Sequence, residues 1–495
     1  MMQVAYSRPS AVASRLLGTS TAGQLLKRPV LLTGDVKALQ SAGGRSTFLA
    51  ALSLLTRFCS DLSVFVPDGT GMLEERTRAL AQRIRYAGMI QFLAPKELDY
   101  DVYHAILNVG ATHRLSLPWT SIACNGWTLQ ACSSSGPVSL DFSRFNPAAC
   151  LAAASLGSTE VFKRLLGVVD PRGKLFGNEV FSLFTYSPDT SPGPDILAPL
   201  RLDCILVGHG AIGNGVRHVL LELPLEGWLA VVDCQAAGEE NWGTYIDLER
   251  AGFARSKAEL GCAGQRPAVN TLPCNLDVLR LREKVGIEIP YPDVVLGALD
   301  NIEARHALQQ LWPNVVIDGA IDDLTCQVSR HPWGPDTACL QCLFRELPGE
   351  DSAVVVSRLT GLTIASAARQ DDVVTQADID VAQGEKKAFL AAHIGQQKCS
   401  VIRKAQVEAL TAGAASFSPS APFVACLSGS MVAAEFIRFR MGLESPLDPR
   451  FQCNVLLGPS AGNMLDQSRR ADCFCSSRKY AIEASRQRRA GMRIP

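Results

Sequence analysis

The chain carries no surplus of charge: 48 lysines and arginines balance 48 aspartates and glutamates over 495 residues. The basic excess that grips nucleic acid or an anionic membrane is missing, and neither is expected as a partner. No run reaches the ~18 uninterrupted apolar residues that a membrane span needs. The seven histidines fall at no metal-ligand spacing. Sixteen cysteines are too few and too scattered for a disulfide scaffold. Several (Cys59, Cys150, Cys204, Cys426) lie inside apolar runs, as thiols buried in reducing cytosol do, so a cytoplasmic protein is expected. No acid precedes Asp35, while Arg8, Arg15, Lys27 and Arg28 do. A transit peptide shares that bias, but a fraying tail ahead of the first strand is the simpler reading. What is plentiful is apolar side chain, 47% of the chain, enough for large cores in two to four domains.

The segment Leu206–Lys257 is the most specific. An apolar strand, Cys204–Val207, enters Gly208-His209-Gly210-Ala211-Ile212-Gly213 and then a helix. Such a turn brings backbone N–H groups and a helix N-terminus close to phosphate, and Gly208, Gly210 and Gly213 let the nucleotide approach. A second strand, Leu229–Val232, ends at Asp233, placed to bond ribose hydroxyls. Asn241 follows eight residues later and Lys257 sixteen after that. A dehydrogenase needs neither. An enzyme that attacks the α-phosphate of ATP needs a fixed polar group and a cation there. Further on, DVVLGALDNIEAR (Asp293–Arg305) is an apolar strand ending in Asp300-Asn301, VVIDGAIDDLTCQ (Val315–Gln327) is another strand, Cys339-Leu340-Gln341-Cys342 is a CxxC, and Cys473-Phe474-Cys475 supplies two more thiols. Cys339, Cys342, Cys473 and Cys475 read as a tetrahedral structural zinc site.

One fold appears twice. Val30–Thr33, Gly34, a helix around Ser46–Phe58, Leu62–Val66 and His104–Val109 repeat the plan of the second half. The small-residue helices Asn146–Gly167 and Phe423–Gly442 match in their Glu–apolar–apolar–basic ending. Gly34-Asp35-Val36 puts an acid and bulk where phosphate would sit, so the first copy reads as inactive. Pro188–Pro199 is a Pro-rich linker. The fold class is α/β, two Rossmann-like halves, inactive then active, with a mostly helical insertion. The expected domains are residues 1–190 (inactive), 200–345 (ATP-binding part), 346–415 (cysteine and crossover region), 416–478 (completion of the active domain with its zinc site) and 479–495, a solvated basic tail.

From about Arg201 to Arg478 the motif order resembles the adenylyltransferase family of ubiquitin-activating (E1-like) enzymes and their ThiF- and MoeB-type relatives in thiamine and molybdenum-cofactor synthesis. The plan of an inactive and an active half in one chain looks like the activating enzymes of bacterial conjugation systems linked to phage defence. The resemblance implies ATP as substrate, with Lys257 neutralising phosphate, Asn241 orienting it and Asp300 holding Mg²⁺. It implies adenylation of the C-terminal glycine of a ubiquitin-like β-grasp protein, thioester formation on an enzyme cysteine and transfer to a conjugating enzyme, in a chain that can also pair as a homodimer. Cys399, preceded by Lys398 and close to Arg403 and Lys404, fits the nucleophile, since nearby cations favour the thiolate. Cys426 reads as core, and Cys326 as a thiol near the site. Arg305 is expected to brace Asp300 or the neighbouring helix. One departure stands out: family members carry Arg and Gln where this chain has Thr244 and Tyr245. Either a first-half arginine, Arg15 by position, replaces the lost charge, or phosphate charge is handled differently. A sulfur-carrier adenylyltransferase without a thioester, and a catalytically degenerate scaffold, are the alternative readings.

Overall fold

A computed structural model describes residues 2–168, 171–196, 199–344, 352–367, 369, 372–398, 401–402, 405, 420–447 and 449–491. It contains two parallel-dominated sheets with helices packed between them. The first holds β1 (Val30–Gly34), β2 (Asp61–Val64), β3 (Met89–Phe92), β4 (Ala105–Val109), β5 (Trp119–Asn125), β6 (Thr128–Cys132) and β7 (Glu179–Ser182), in the order β3-β2-β1-β4-β5-β6-β7. The second holds β8 (Leu200–Arg201), β9 (Cys204–Val207), β10 (Leu225–Val232), β11 (Val269–Cys274), β12 (Val294–Gly297), β13 (Val315–Asp322), β14 (Thr325–Pro332), β15 (Arg450–Asn454) and β16 (Asn463–Leu465). Its order is β11-β10-β9-β12-β13-β14-β15-β16, with β8 beside β10. Counted from β1 and from β9, the two orders are the same through seven strands. The central strands are buried throughout and mostly apolar because both faces are covered.

Four helices fill the space between the sheets: Ala42–Thr56 and Pro147–Leu166 from the first unit, Ala211–Glu222 and Pro422–Arg440 from the second. Pro147–Leu166 starts at Asn146, whose side chain caps Ala148 N, has Pro at its first position and stops at Gly167 in the left-handed region. Small residues set the helix spacing. A Cβ on Gly429 would come within 2.8 Å of Ile212 O, and one on Gly215 within 3.2 Å of Cys426 Cα. Phe58, Phe162 and Phe423 form an aromatic triad across the junction, with centroids 5.2–5.8 Å apart. Pro422–Arg440 is, among the described residues, the one helix long and apolar enough to cross a membrane; 94% of its most apolar stretch is buried in this layer.

Two terminal segments differ from expectation. The N-terminus is no fraying tail: Ser7–Leu17 is a helix that buries Arg8, Pro9, Val12 and Ala13. The basic C-terminus is a docked helix, Lys479–Gly491, rather than a solvated tail. Ile482 is buried, Glu483 accepts from Trp333 Nε1 (2.6 Å) and Arg486 Nη1 donates to Trp312 O (2.6 Å). The linker also lies down, where described: Trp127 N donates to Pro192 O (2.9 Å) and Trp127 Nε1 to Pro194 O (2.7 Å).

Candidate nucleotide site and four-cysteine cluster

β9 and β12 are neighbours from which the sheet order runs opposite ways, and ligands in open α/β sheets bind at the carboxyl ends of such strands. The glycine loop sits there. Gly208 has φ +86°, and a Cβ on it would meet Ala298 O at 2.5 Å; a Cβ on Gly213 would collide with Gly208 O. Gly210 is the N-cap of Ala211–Glu222, and the position of its missing Cβ lies 3.7 Å from Tyr245 Oη. Asp233 ties the loop to the end of β10: Oδ2 accepts from His209 N (2.8 Å) and Oδ1 from Gln235 N (2.9 Å). The His209 ring packs against Gly261, and burial pushes its pKa down to about 3, so it is neutral.

Asn241 closes the turn Glu239–Asn241, its Oδ1 accepting from Gly238 N (2.9 Å), while its Nδ2 is buried with no partner. Lys257 opens the short helix Lys257–Cys262 and is 2% exposed. Its backbone N donates to Gln235 O (2.8 Å) and its Nζ to Gln235 Oε1 (2.6 Å). That partner is a neutral amide, which leaves the ammonium charge available to an anion. Nζ also stands 5.6 Å from the Tyr245 ring centroid. Asp300 is exposed at the entry to Ile302–Gln309, accepting from Asn301 Nδ2 (3.3 Å). The loop glycines, Asp233, Asn241 and Lys257 thus come together around Gln235, which the motif reading left out, and Tyr245, which it named only as a departure, and Asp300 stands beyond the end of the adjacent strand.

Arg305 lies on the helix that follows Asp300; its Nε donates to Asp318 Oδ2 (3.0 Å) within a buried pair, and its Nη2 to Leu299 O. Asp318 was visible in the sequence as a lone acid inside an apolar strand, a position that requires a partner. Cys326 is buried in β14, paired with Ile321 at the carboxyl end of β13 and beside Cys453 of β15, with the sulfurs 3.4 Å apart. One expectation needs correction: the arginine at Thr244 is Arg8, not Arg15. Arg8 Nη1 donates to Thr244 Oγ1 (3.3 Å). Arg15 lies toward Asp323, whose carboxyl is raised by burial and partly held down by that arginine. Cys426 is core, as its sequence setting implied, and burial raises its thiol pKa.

The first unit surrounds the Asn241 loop. Trp242 is fully buried, edge-on to Tyr6 (5.5 Å), with Nε1 donating to Ile84 O (3.0 Å) and the Arg57 guanidinium 4.9 Å from its ring. Arg57 Nη2 also donates to Ile246 O (2.7 Å). A Cβ on Gly243 would meet Ala5 O at 2.5 Å. In the first unit's own loop, Asp35 Oδ2 accepts from Thr112 N (2.8 Å) and the carboxylate abuts Gly110.

The four predicted cysteines come together. The Sγ distances are 3.8 Å for Cys339–Cys342, 3.7 Å for Cys339–Cys473 and 3.6 Å for Cys342–Cys475, and all four atoms lie within 4.8 Å of one another. Tetrahedral zinc with bonds of about 2.3 Å sets its sulfurs about 3.8 Å apart, so the cluster fits that ion. Arg470 N donates to Cys342 Sγ (3.4 Å), as an outer-shell amide does.

Cys399 lies outside the described residues. Before it, the insertion forms short helices around its own core of Val356, Leu362, Ile379 and Leu390. Gln397 Oε1 accepts from Ala236 N (2.9 Å), three residues past Asp233, and Lys398 pairs with Asp378 (3.3 Å).

A stretch of 139 residues, 28% of the chain, is 27% identical to the NEDD8-activating enzyme E1 catalytic subunit of Dictyostelium discoideum. The match spans about a third, 31%, of that relative's length. This partial match agrees with the E1-like resemblance that the motifs carry. No protein-family model matches it. Among solved structures, E. coli MccB with MccA-N7isoASN is 14% identical, over 56% of this chain and 67% of that one, with a TM-score of 0.36. E. coli MccB with AMPCPP and MccA is 13% identical over 56% and 66%, at the same score. A likeness that loose adds nothing to the functional reading.

Proposed function

We propose that the chain is an ATP-dependent adenylyltransferase that activates the C-terminal glycine of a ubiquitin-like protein. The observation that carries this is the set of buried groups around the glycine loop, above all Lys257, held by a neutral amide, and Asn241 Nδ2, buried without a partner. Buried polar groups are paired as a rule, so an orphan donor beside a phosphate loop suits an absent anion. Asp233 bonds the ribose. Lys257 and the loop N–H groups offset the charge that builds on the α-phosphate as the carboxylate attacks and pyrophosphate leaves. Asp300 would hold Mg²⁺. Arg8 supplies the cation that Thr244 lacks. The first unit is a catalytically silent copy, its loop filled by Asp35, and it fixes Trp242 and hence Asn241. The four cysteines hold a structural zinc.

The activated glycine then passes to Cys399 as a thioester, AMP leaving, and on to a conjugating enzyme. The tether of Gln397 to Ala236 supports a nucleophile close to the nucleotide segment. Mass spectrometry with ATP, Mg²⁺ and candidate β-grasp proteins tests this step. A reductant-sensitive adduct on wild type and none on Cys399→Ala is expected. An adenylated modifier with no adduct would move the assignment to sulfur-carrier chemistry.

The zinc assignment has its own measurement. Elemental analysis is expected to give one zinc per chain, and none in Cys342→Ser, with a lower Tm because the docked C-terminal segment loses its clamp. A zinc-free, equally stable wild type would leave the four thiols as packing.

A further inference from the structure

We infer that the hydroxyl of Tyr245 is a phosphate-binding donor, a role that no motif of the chain announces; the inference rests on the adenylation reading above. Tyr245 is 2% exposed and its Oη has no hydrogen-bond partner. Leaving a buried hydroxyl unsatisfied costs about 1–3 kcal/mol, and buried tyrosines normally find a partner, whereas phenylalanine would fill the same space at no such cost.

Three features converge on that oxygen. It stands 3.7 Å from where a Cβ on Gly210 would be, at the N-cap of a 12-residue helix. The first N–H groups of a helix have no partner within it and face an anion readily. The Lys257 ammonium lies on the same ring, 5.6 Å from its centroid, so a cation, a hydroxyl and a helix N-terminus border one small volume. The ring itself is fixed by Trp242, Leu248 and Ala211 in one apolar cluster, so the hydroxyl is pre-aimed rather than mobile. An O–H donating to a charged phosphate oxygen is among the stronger hydrogen bonds. The chemical class addressed is the phosphate chain of a nucleoside triphosphate. The nucleoside itself lies toward Asp233.

Calorimetric titration of the full chain with ATP and Mg²⁺, and separately with adenosine, tests the inference on wild type and Tyr245→Phe. The exchange removes one oxygen and keeps the ring, and a Tm equal to or above that of wild type verifies folding. ATP is expected to bind Tyr245→Phe about tenfold more weakly and adenosine equally well. Equal ATP affinity in the two proteins would overturn the inference and leave the adenylation reading intact. Tighter ATP binding by Tyr245→Phe, or by Tyr245→Ala, would overturn it by showing that the phenol plugs the loop. A wild type that binds neither ATP nor adenosine would overturn the adenylation reading together with it.

Discussion

Lys257→Met is expected to slow ATP–pyrophosphate exchange by about two to three orders of magnitude with no loss of Tm. Removal of one pre-aimed group that meets developing charge costs about 10²–10³ in rate. The ammonium is 2% exposed and its Nζ partner is the Gln235 amide, so the fold gains little from the charge and bears its desolvation. Met keeps the unbranched stem, and its thioether leaves Gln235 Oε1 to a water. Lys257→Arg is not expected to rescue the rate. The guanidinium is a broad fork, and the space is closed by Gln235 on one side and the Tyr245 ring on the other. Exchange above a third of wild type in Lys257→Met would show that the ammonium does not meet phosphate charge.

The parts of this site that the sequence displays are those in which one residue type answers one local need. Gly208 must be glycine because its φ is positive and Ala298 O is 2.5 Å from its missing Cβ, and the strand before it is apolar because both its faces are covered. The four cysteines are legible because thiolate chemistry repeats at short spacing. What escapes is set by packing between segments far apart in the chain. Arg8 and Arg15 lie seven residues apart on one helix, hence on one face, and sequence offers no ground for choosing between them. The choice falls to Arg8 because Ala5 and Tyr6, just before it, dock on Gly243 and Trp242. The C-terminal helix is illegible for a related reason. Its arginines look like solvent-facing charge, yet Arg486 reaches the carbonyl oxygens of Trp312 and Pro313 and Arg489 that of Leu311, with their stems laid on apolar surface.

Arg438→Met is expected to destabilise the chain by about 3–5 kcal/mol near neutral pH, the usual cost of removing one member of a buried ion pair. Arg438 Nε donates to Glu435 (3.2 Å), its Nη1 to Glu444 O (2.7 Å), and its Nη2 crosses to the first unit, to Leu183 O (3.2 Å) and Phe184 O. The first unit does the same in reverse. Lys163 pairs with Glu160 and its Nζ donates to Leu456 O of the second unit (3.1 Å). Each copy of the Glu–apolar–apolar–basic ending thus ties its helix to the opposite unit, so the variant should show a lower urea midpoint and earlier separation of the two units. The loss should also depend on pH. Burial already raises the Glu435 carboxyl pKa, against the lowering effects of Arg438 and Arg330. Without Arg438 it rises further above its unfolded value. Between those two values the folded state holds more protons than the unfolded state, so stability increases as pH falls. The deficit of Arg438→Met should therefore shrink from pH 7.5 toward pH 5.5. Adding Glu435→Gln, which removes the stranded charge, should recover part of it at pH 7.5. A deficit independent of pH, and unrelieved by Glu435→Gln, would mean that the carbonyl contacts alone carry the effect and that the buried pair is energetically idle.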